Sequence, residues 1–193
     1  MNTEHGINFE KIAEKEKRQK QWSEIAERVN NVRDKVGEGI DEGIKSMVIA
    51  LNAFGINTSQ SCEGHDSHGE GAPYVDIRSI NFNELEETLE KLMAANPNSP
   101  EVDALLEEIT DINKKECSKV YPLLDEFYSN RDVQQDVKLG IHFYDIAIGK
   151  LESEGVNVRE RREKPPTQQE LESYKKEMNA FQNFLKTKYF EEK

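Results

Sequence analysis

The sequence predicts a single α+β domain over residues 1–193, with three to five helices packed around a small, mainly antiparallel sheet. Three patterns predict it. Apolar residues recur at steps of three and four toward both ends of the chain, the period of amphipathic helices. In the middle, INTSQSCEG and PYVDIRSI (73–80) suit short strands and are separated by a glycine-rich turn. Farther on, VKLGIHFYDIAIGKLESEGVNV (137–158) is rich in branched and aromatic residues, and Gly140, Gly149 and Gly155 disfavour a helix there, so two or three strands are expected.

Taken in order, Phe9, Ile12, Ala13, Trp22, Ile25, Ala26, Val29, Val32 and Val36 form the stripe of a long first helix within residues 1–35. Its polar middle, EKEKRQKQ, is expected to project from the body or fray. Ile40, Ile44, Met47, Val48, Leu51 and Phe54 define a core helix, and Gly55 stands where a left-handed cap ends it. The strand that follows delivers Cys62 to its end, and Gly64 stops it. After the second strand, Asn83 with Glu86 three residues on has the form of a capping box for a helix carrying Leu85, Leu89, Leu92 and Met93.

Ser99 and Pro100 mark the start of another helix, whose stripe runs through Leu105, Ile109, Ile112, Cys117, Val120, Leu124 and Phe127, with Pro122 bending its last turns. The run VRERREKPP places a solvated linker at 159–166. Thr167 with Glu170 then opens a terminal helix, 167–193, lined by Leu171, Tyr174, Met178, Phe181, Leu185 and Tyr189.

Composition restricts function. A net charge of −12 opposes phosphate backbones, only the basic runs KEKRQK (15–20) and RERREK (159–164) are long enough to offset it locally, and the second is interleaved with glutamates, so nucleic acid is not expected as a partner. No apolar run is long enough to cross a bilayer, and MNTEHGINFEKIAEKEK lacks the basic-then-apolar order of a secretory signal, so a cytoplasmic protein is expected. Cys62 and Cys117, in a reducing compartment, are expected to be unpaired, with Cys117 a small buried hydrophobe.

The stretch TSQSCEGHDSHGEGAPYVDI (58–77) concentrates the chemistry. Cys62, His65 and His68 have the spacing C-x2-H-x2-H, and thiolate and imidazole are ligands that zinc prefers. Glu63, Asp66 and Glu70 supply nearby oxygens, and the fourth position falls to water, Asp76 or the distant His142. Three protein ligands and an open position describe a catalytic zinc, with Glu63 as candidate base. Alternatively Cys62 is a nucleophile whose thiolate a protonated histidine favours. Thr58, Ser61 and Gly64 would border a ligand, and Asp76 and Arg78 share one face of the next strand, as a wet ion pair or as ligand contacts. The plainest alternative is a polar hairpin turn whose histidines do no chemistry.

GINTSQSCEGH followed by PYVDI resembles the G-x-x-T-x-x-S-C-x-G-H element of small, uncharacterised bacterial and phage-type proteins, in which a helix precedes the motif and a strand follows it. The likeness spans about forty residues and implies no activity. More distantly, TSQSCEGH is similar to the T-x-S-S-C-S-G-R element of the wybutosine-synthesising tRNA methyltransferases that lack a Rossmann fold; Gln60 and Glu63 stand in place of its serines and His65 in place of its arginine. That similarity implies an analogy of fold.

Together these readings predict a polar site at 58–77 for a metal ion, zinc first, or a small ligand. The alternative is a non-enzymatic interaction protein that self-associates or holds a protein partner through its terminal helices.

Overall fold

The computed structural model describes residues 6–34, 36–65, 71–145, 148–156 and 165–191. Helix α1 (Gly6–Asn31) is followed by α2 (Glu42–Ala53), strands β1 (Thr58–Cys62) and β2 (Tyr74–Ile77), helices α3 (Phe82–Ala95), α4 (Pro100–Ser118) and α5 (Tyr121–Tyr128), strands β3 (Leu139–Asp145) and β4 (Ile148–Ser153), and helix α6 (Gln168–Glu191). The strands lie in the order β1-β2-β4-β3 with every neighbouring pair antiparallel. This is the α+β architecture that the sequence predicts, with long helices at both ends.

One face of the sheet makes the core. Val75, Ile77 and Leu151 are fully buried there and cluster with Met47 and Leu51 of α2, Leu124 and Phe127 of α5, and Phe181 and Leu185 of α6. The opposite face is polar yet also enclosed: Asp76, Lys150 and Glu152 are buried, and the Lys150 ammonium sits 4.2 Å from the centre of the Tyr74 ring.

Helix α1 is held to α6 by its second half. Trp22 packs on Tyr189 and Phe190 at ring separations of 5.4 and 5.3 Å, and Ile25 and Val29 are buried. The polar middle does not fray. It stays helical, and Arg18 reaches across to donate to the Tyr189 carbonyl at 2.8 Å while pairing with Glu14. The stripe also ends sooner than its spacing implies, because the helix stops at Asn31 and leaves Val32 and Val36 exposed. The Phe9 side chain and residues 159–164 of the expected linker lie outside the described residues.

The end of α2 fixes the entry to β1. Gly55 adopts φ +69°, its N–H bonds to the Asn52 carbonyl, and the Ile56 N–H bonds to the Leu51 carbonyl. These two bonds make a Schellman cap, with Ile56 and Leu51 meeting in the core.

Two sequence expectations are corrected at helix boundaries. The Asn83–Glu86 capping box does not form, because α3 begins at Phe82 with Asn81 in the N-cap position, two residues ahead of the expected cap, and the Phe82 ring is anchored against Leu105 and Ile109 and beneath the Arg78 guanidinium. Pro122 divides the fourth helix rather than bending it. The proline has no N–H and its ring crowds the carbonyl four residues back, so the chain breaks after Ser118 and restarts as α5 with the proline in its first turn. That break gives two helices, α4 and α5, where one was expected. At the terminal helix the reciprocal box does form: Thr167 N–H donates to Glu170 Oε2 at 2.8 Å, and Glu170 N–H to Thr167 Oγ1 at 3.4 Å.

Helix α4 holds the β1–β2 hairpin by both of its outer ends. Buried Glu116 accepts the Asn57 N–H at 2.8 Å just before β1, and buried Asn113 accepts the Ser79 N–H at 2.6 Å just after β2. Glu116→Ala would leave the Asn57 amide without its acceptor, so it should lower stability by about 1–3 kcal/mol in denaturant unfolding, with Glu116→Gln, which keeps an amide oxygen, losing less.

Candidate metal centre

Strand β1 ends with Cys62 paired to Tyr74, and the chain must then turn sharply. Gly64 makes the turn at φ +82°. A side chain there would be strained, and a Cβ would also come within 2.9 Å of Leu171 Cδ1 and of the Pro73 nitrogen. The turn points the Gly64 N–H back at the cysteine, with a nitrogen-to-Sγ distance of 3.3 Å. It also carries His65 beside the start of α2, where its Nε2 lies 3.4 Å from Asp41 Oδ2.

Asp41 occupies the N-cap position of α2, but its side chain makes no cap bond. Its Oδ2 faces the turn instead, accepting the Glu63 N–H at 3.2 Å as well as meeting His65. The vacated capping role is filled from outside the helix. Glu63 Oε2 accepts the Gly43 N–H at 2.6 Å, an approach open only because a Cβ on residue 43 would itself sit 2.6 Å from that oxygen. A carboxylate at this end of a helix is favoured by the unpaired amides and the dipole.

The outcome is a cluster in which one ligand atom each from Asp41, Cys62 and His65 lies within 4.8 Å of the others, all three residues being half-buried. Donor atoms around a tetrahedral zinc, with bonds of about 2.0–2.3 Å, lie roughly 3.3–3.7 Å apart. The 3.4 Å between His65 and Asp41 falls within that span, and the thiol is a small adjustment away. An amide donating to a cysteine sulfur stabilises its thiolate and is a common support of metal-bound thiolates.

Among the described residues the cluster adds Asp41 to the expected Cys62 and His65. Cys62 and His65 are brought together as expected, whereas His68, Asp66 and Glu70 lie outside the described residues. Asp41 supplies the candidate oxygen ligand, and sequence reasoning missed it because an aspartate just before an apolar helical stripe reads as an ordinary cap. Glu63, the expected base, is turned from the cluster to the helix end. Thr58 accepts a bond from Asn52 Nδ2 at 3.1 Å, and Ser61 stands opposite Val75.

Asp76 and Arg78 form a pair at 3.9 Å farther along β2; the aspartate is buried and the arginine lies over Phe82, so they are neither on a wet surface nor at the cluster. His142 sits on β3, at the opposite edge of the sheet from β1, 3.6 Å from Glu154. Three strand spacings put it roughly 14 Å from Cys62, outside any shared first shell. Cys117 is fully buried in the core, and burial pushes its thiol up to about 12.

No family model, curated protein or solved structure matches this chain. Function must therefore be inferred from the site's own geometry and chemistry.

The two cysteines should separate cleanly. In the presence of a chelator at pH 8, mass spectrometry after iodoacetamide should find Cys62 alkylated and Cys117 untouched until denaturant is added, because a thiol held near 12 supplies almost no thiolate. Glu63→Ala should lower stability by about 0.5–2 kcal/mol, the usual cost of a lost helix cap, while leaving the three candidate ligands in place; thermal melts and metal content measured together would check both halves.

Proposed function

We propose that Asp41, Cys62 and His65 bind a single transition-metal ion, zinc first, in a centre with one coordination position left for water or a ligand. The observation that carries this reading is the convergence of a carboxylate, a thiol and an imidazole from the start of α2 and the β1 turn within 4.8 Å, with the Gly64 amide directed at the sulfur. A thiolate and an imidazole favour zinc over magnesium or calcium, which take oxygen ligands.

Three ligands and an open position suit zinc chemistry in which bound water is made acidic enough to attack near neutral pH. Glu63 does not fit the role of base in that chemistry, since its carboxylate is engaged by Gly43. His68 stays a candidate for the fourth ligand on the strength of its spacing from His65.

A second reading is favoured by one contact. The His65–Asp41 approach at 3.4 Å is also the arrangement by which a carboxylate orients an imidazole toward a nucleophilic thiol, here Cys62. The interaction-module alternative draws on less surface. The α6 residues Leu171, Tyr174, Met178, Phe181, Leu185 and Tyr189 face the core, as do Ile25 and Val29 of α1, and the large apolar side chain that α1 leaves exposed among those described is Ile12. No helix among the described residues is long and apolar enough to cross a membrane, and a cytoplasmic setting remains part of this proposal.

Metal analysis decides between the first two. Protein purified without an affinity tag should carry about one zinc per chain, falling to near zero in Cys62→Ser and dropping steeply in Asp41→Asn. Chelation should lower the melting temperature of the wild type and not of Cys62→Ser, since an ion that binds only the folded state stabilises it. Absence of metal from every sample, together with alkylation of Cys62 already fast at pH 6 and slowed by His65→Ala, would instead establish the nucleophile.

A further inference from the structure

Beside the cluster runs a groove of about 610 Å3, bounded by the C-terminal end of α1, residues 32–34 and 38–41, one face of α2 and strand β1. Its volume is that of a small-molecule site. Asp41 belongs to its wall, so the groove and the candidate metal centre share a residue.

The groove carries two guanidinium groups, Arg28 and Arg33, and among the described residues neither is ion-paired with a carboxylate. Their bonds are to neutral acceptors: Arg28 Nη2 donates to Asn52 Oδ1 at 3.4 Å, while Arg33 Nη1 donates to the Asn30 and Val32 carbonyls at 2.7 and 2.6 Å. On a chain of net charge −12 with 38 acidic residues, two such arginines in one concavity are unusual. They are also oriented. Asn52 receives Arg28 and donates to the Val48 carbonyl and to Thr58 Oγ1, which leaves the Thr58 hydroxyl proton to be given to something in the groove.

Three acids share the lining with the two arginines, so an anion would be held by the position of the guanidinium groups and not by the net charge of the groove. Asp34 is spent on its own loop, where its Oδ1 accepts the Val36 and Glu38 amides at 2.9 and 2.8 Å. Asp41 belongs to the cluster, and Glu38 is on the exposed rim. Apolar Val29, Ile40 and Val48 give the groove a floor that would favour a carbon body.

We infer that this groove binds a small organic acid, its carboxylate or phosphate oxyanion held by Arg28 and Arg33 and its body laid on the apolar floor toward Asp41. The bidentate geometry of guanidinium fits both oxyanions. That the bound acid is presented to a metal rests on the reading of the Asp41–Cys62–His65 centre; that the groove holds it does not.

Calorimetric titration with phenyl phosphate, benzoate and neutral benzamide tests this, the three sharing one ring. At least one of the two anions should bind, the stronger one naming the oxyanion class, with benzamide about tenfold weaker or more. The double variant Arg28→Gln/Arg33→Gln should lose about tenfold or more of that affinity while its zinc content matches the wild type. Should the double variant not fold, Arg28→Gln alone carries the test, as that side chain is exposed and, among the described residues, bonds to Asn52 alone.

Binding of neither anion, equal binding of benzamide, or affinity unchanged by the arginine substitutions would each overturn the inference. Repeating the titration on chelated protein separates the two proposals. Affinity that persists there shows that the groove binds without the metal; no zinc in the protein as purified, with arginine-dependent anion binding intact, would sink the metal centre and keep the groove, and zinc at full occupancy without arginine-dependent binding would do the reverse.

Discussion

At the start of α2, Asp41 stands where a side chain normally caps its own helix, yet its carboxylate is turned to the β1 turn, while Glu63 from that turn reaches back to accept the Gly43 amide. The two segments are thereby stitched by an exchange of carboxylates. The Gly43 amide still has an acceptor in Glu63, so Asp41 can leave its capping position without stranding that donor. Everything at the site depends on that release: it is what brings an oxygen ligand beside a thiol and an imidazole that the hairpin alone would hold without a third partner.

The exchange works only if the hairpin is fixed relative to α2, and the fold provides this at several levels. The Schellman cap at Gly55 sets the direction in which β1 leaves the helix. Glu116 and Asn113 of α4 then hold the backbone before β1 and after β2, using buried polar groups where an apolar contact would allow sliding. Finally Leu171 and Pro73 press on Gly64, so that the turn carrying the thiol and imidazole has little room to adopt another path. The same rigid frame bounds the groove beneath α1, and the candidate centre and the cavity are thus two sides of one wall at Asp41.

Much of the scaffold was readable from the chain because its signals are local. The stripe of α6 and its Thr167–Glu170 box, the Ser99–Pro100 start of α4 and the glycine stop of α2 each depend on residues within a turn or two of one another, where periodicity and backbone sterics act alone. Local signals failed where a distant contact outweighed them. The start of α3 moved to Phe82 because its ring is claimed by Leu105, Ile109 and Arg78, and the polar middle of α1 kept its place because Arg18 finds the Tyr189 carbonyl 171 residues away.

For the site itself, the sequence alone determined that Cys62 and His65 would sit on either side of a glycine-forced turn at the end of a strand, since spacing and the left-handed conformation of Gly64 are properties of a few consecutive residues. It could not determine the third ligand. Asp41 and Cys62 are far apart in the chain, and nothing in DEGIK distinguishes an aspartate that caps its helix from one displaced by a carboxylate arriving from another element. The fate of Glu63, the removal of His142 to the far edge of the sheet and the meeting of Arg28 with Asn52 are likewise outcomes of strand order and helix packing. Side-chain partnership across elements is settled by which backbone groups are left needing an acceptor once the fold has closed, and that is a property of the tertiary structure.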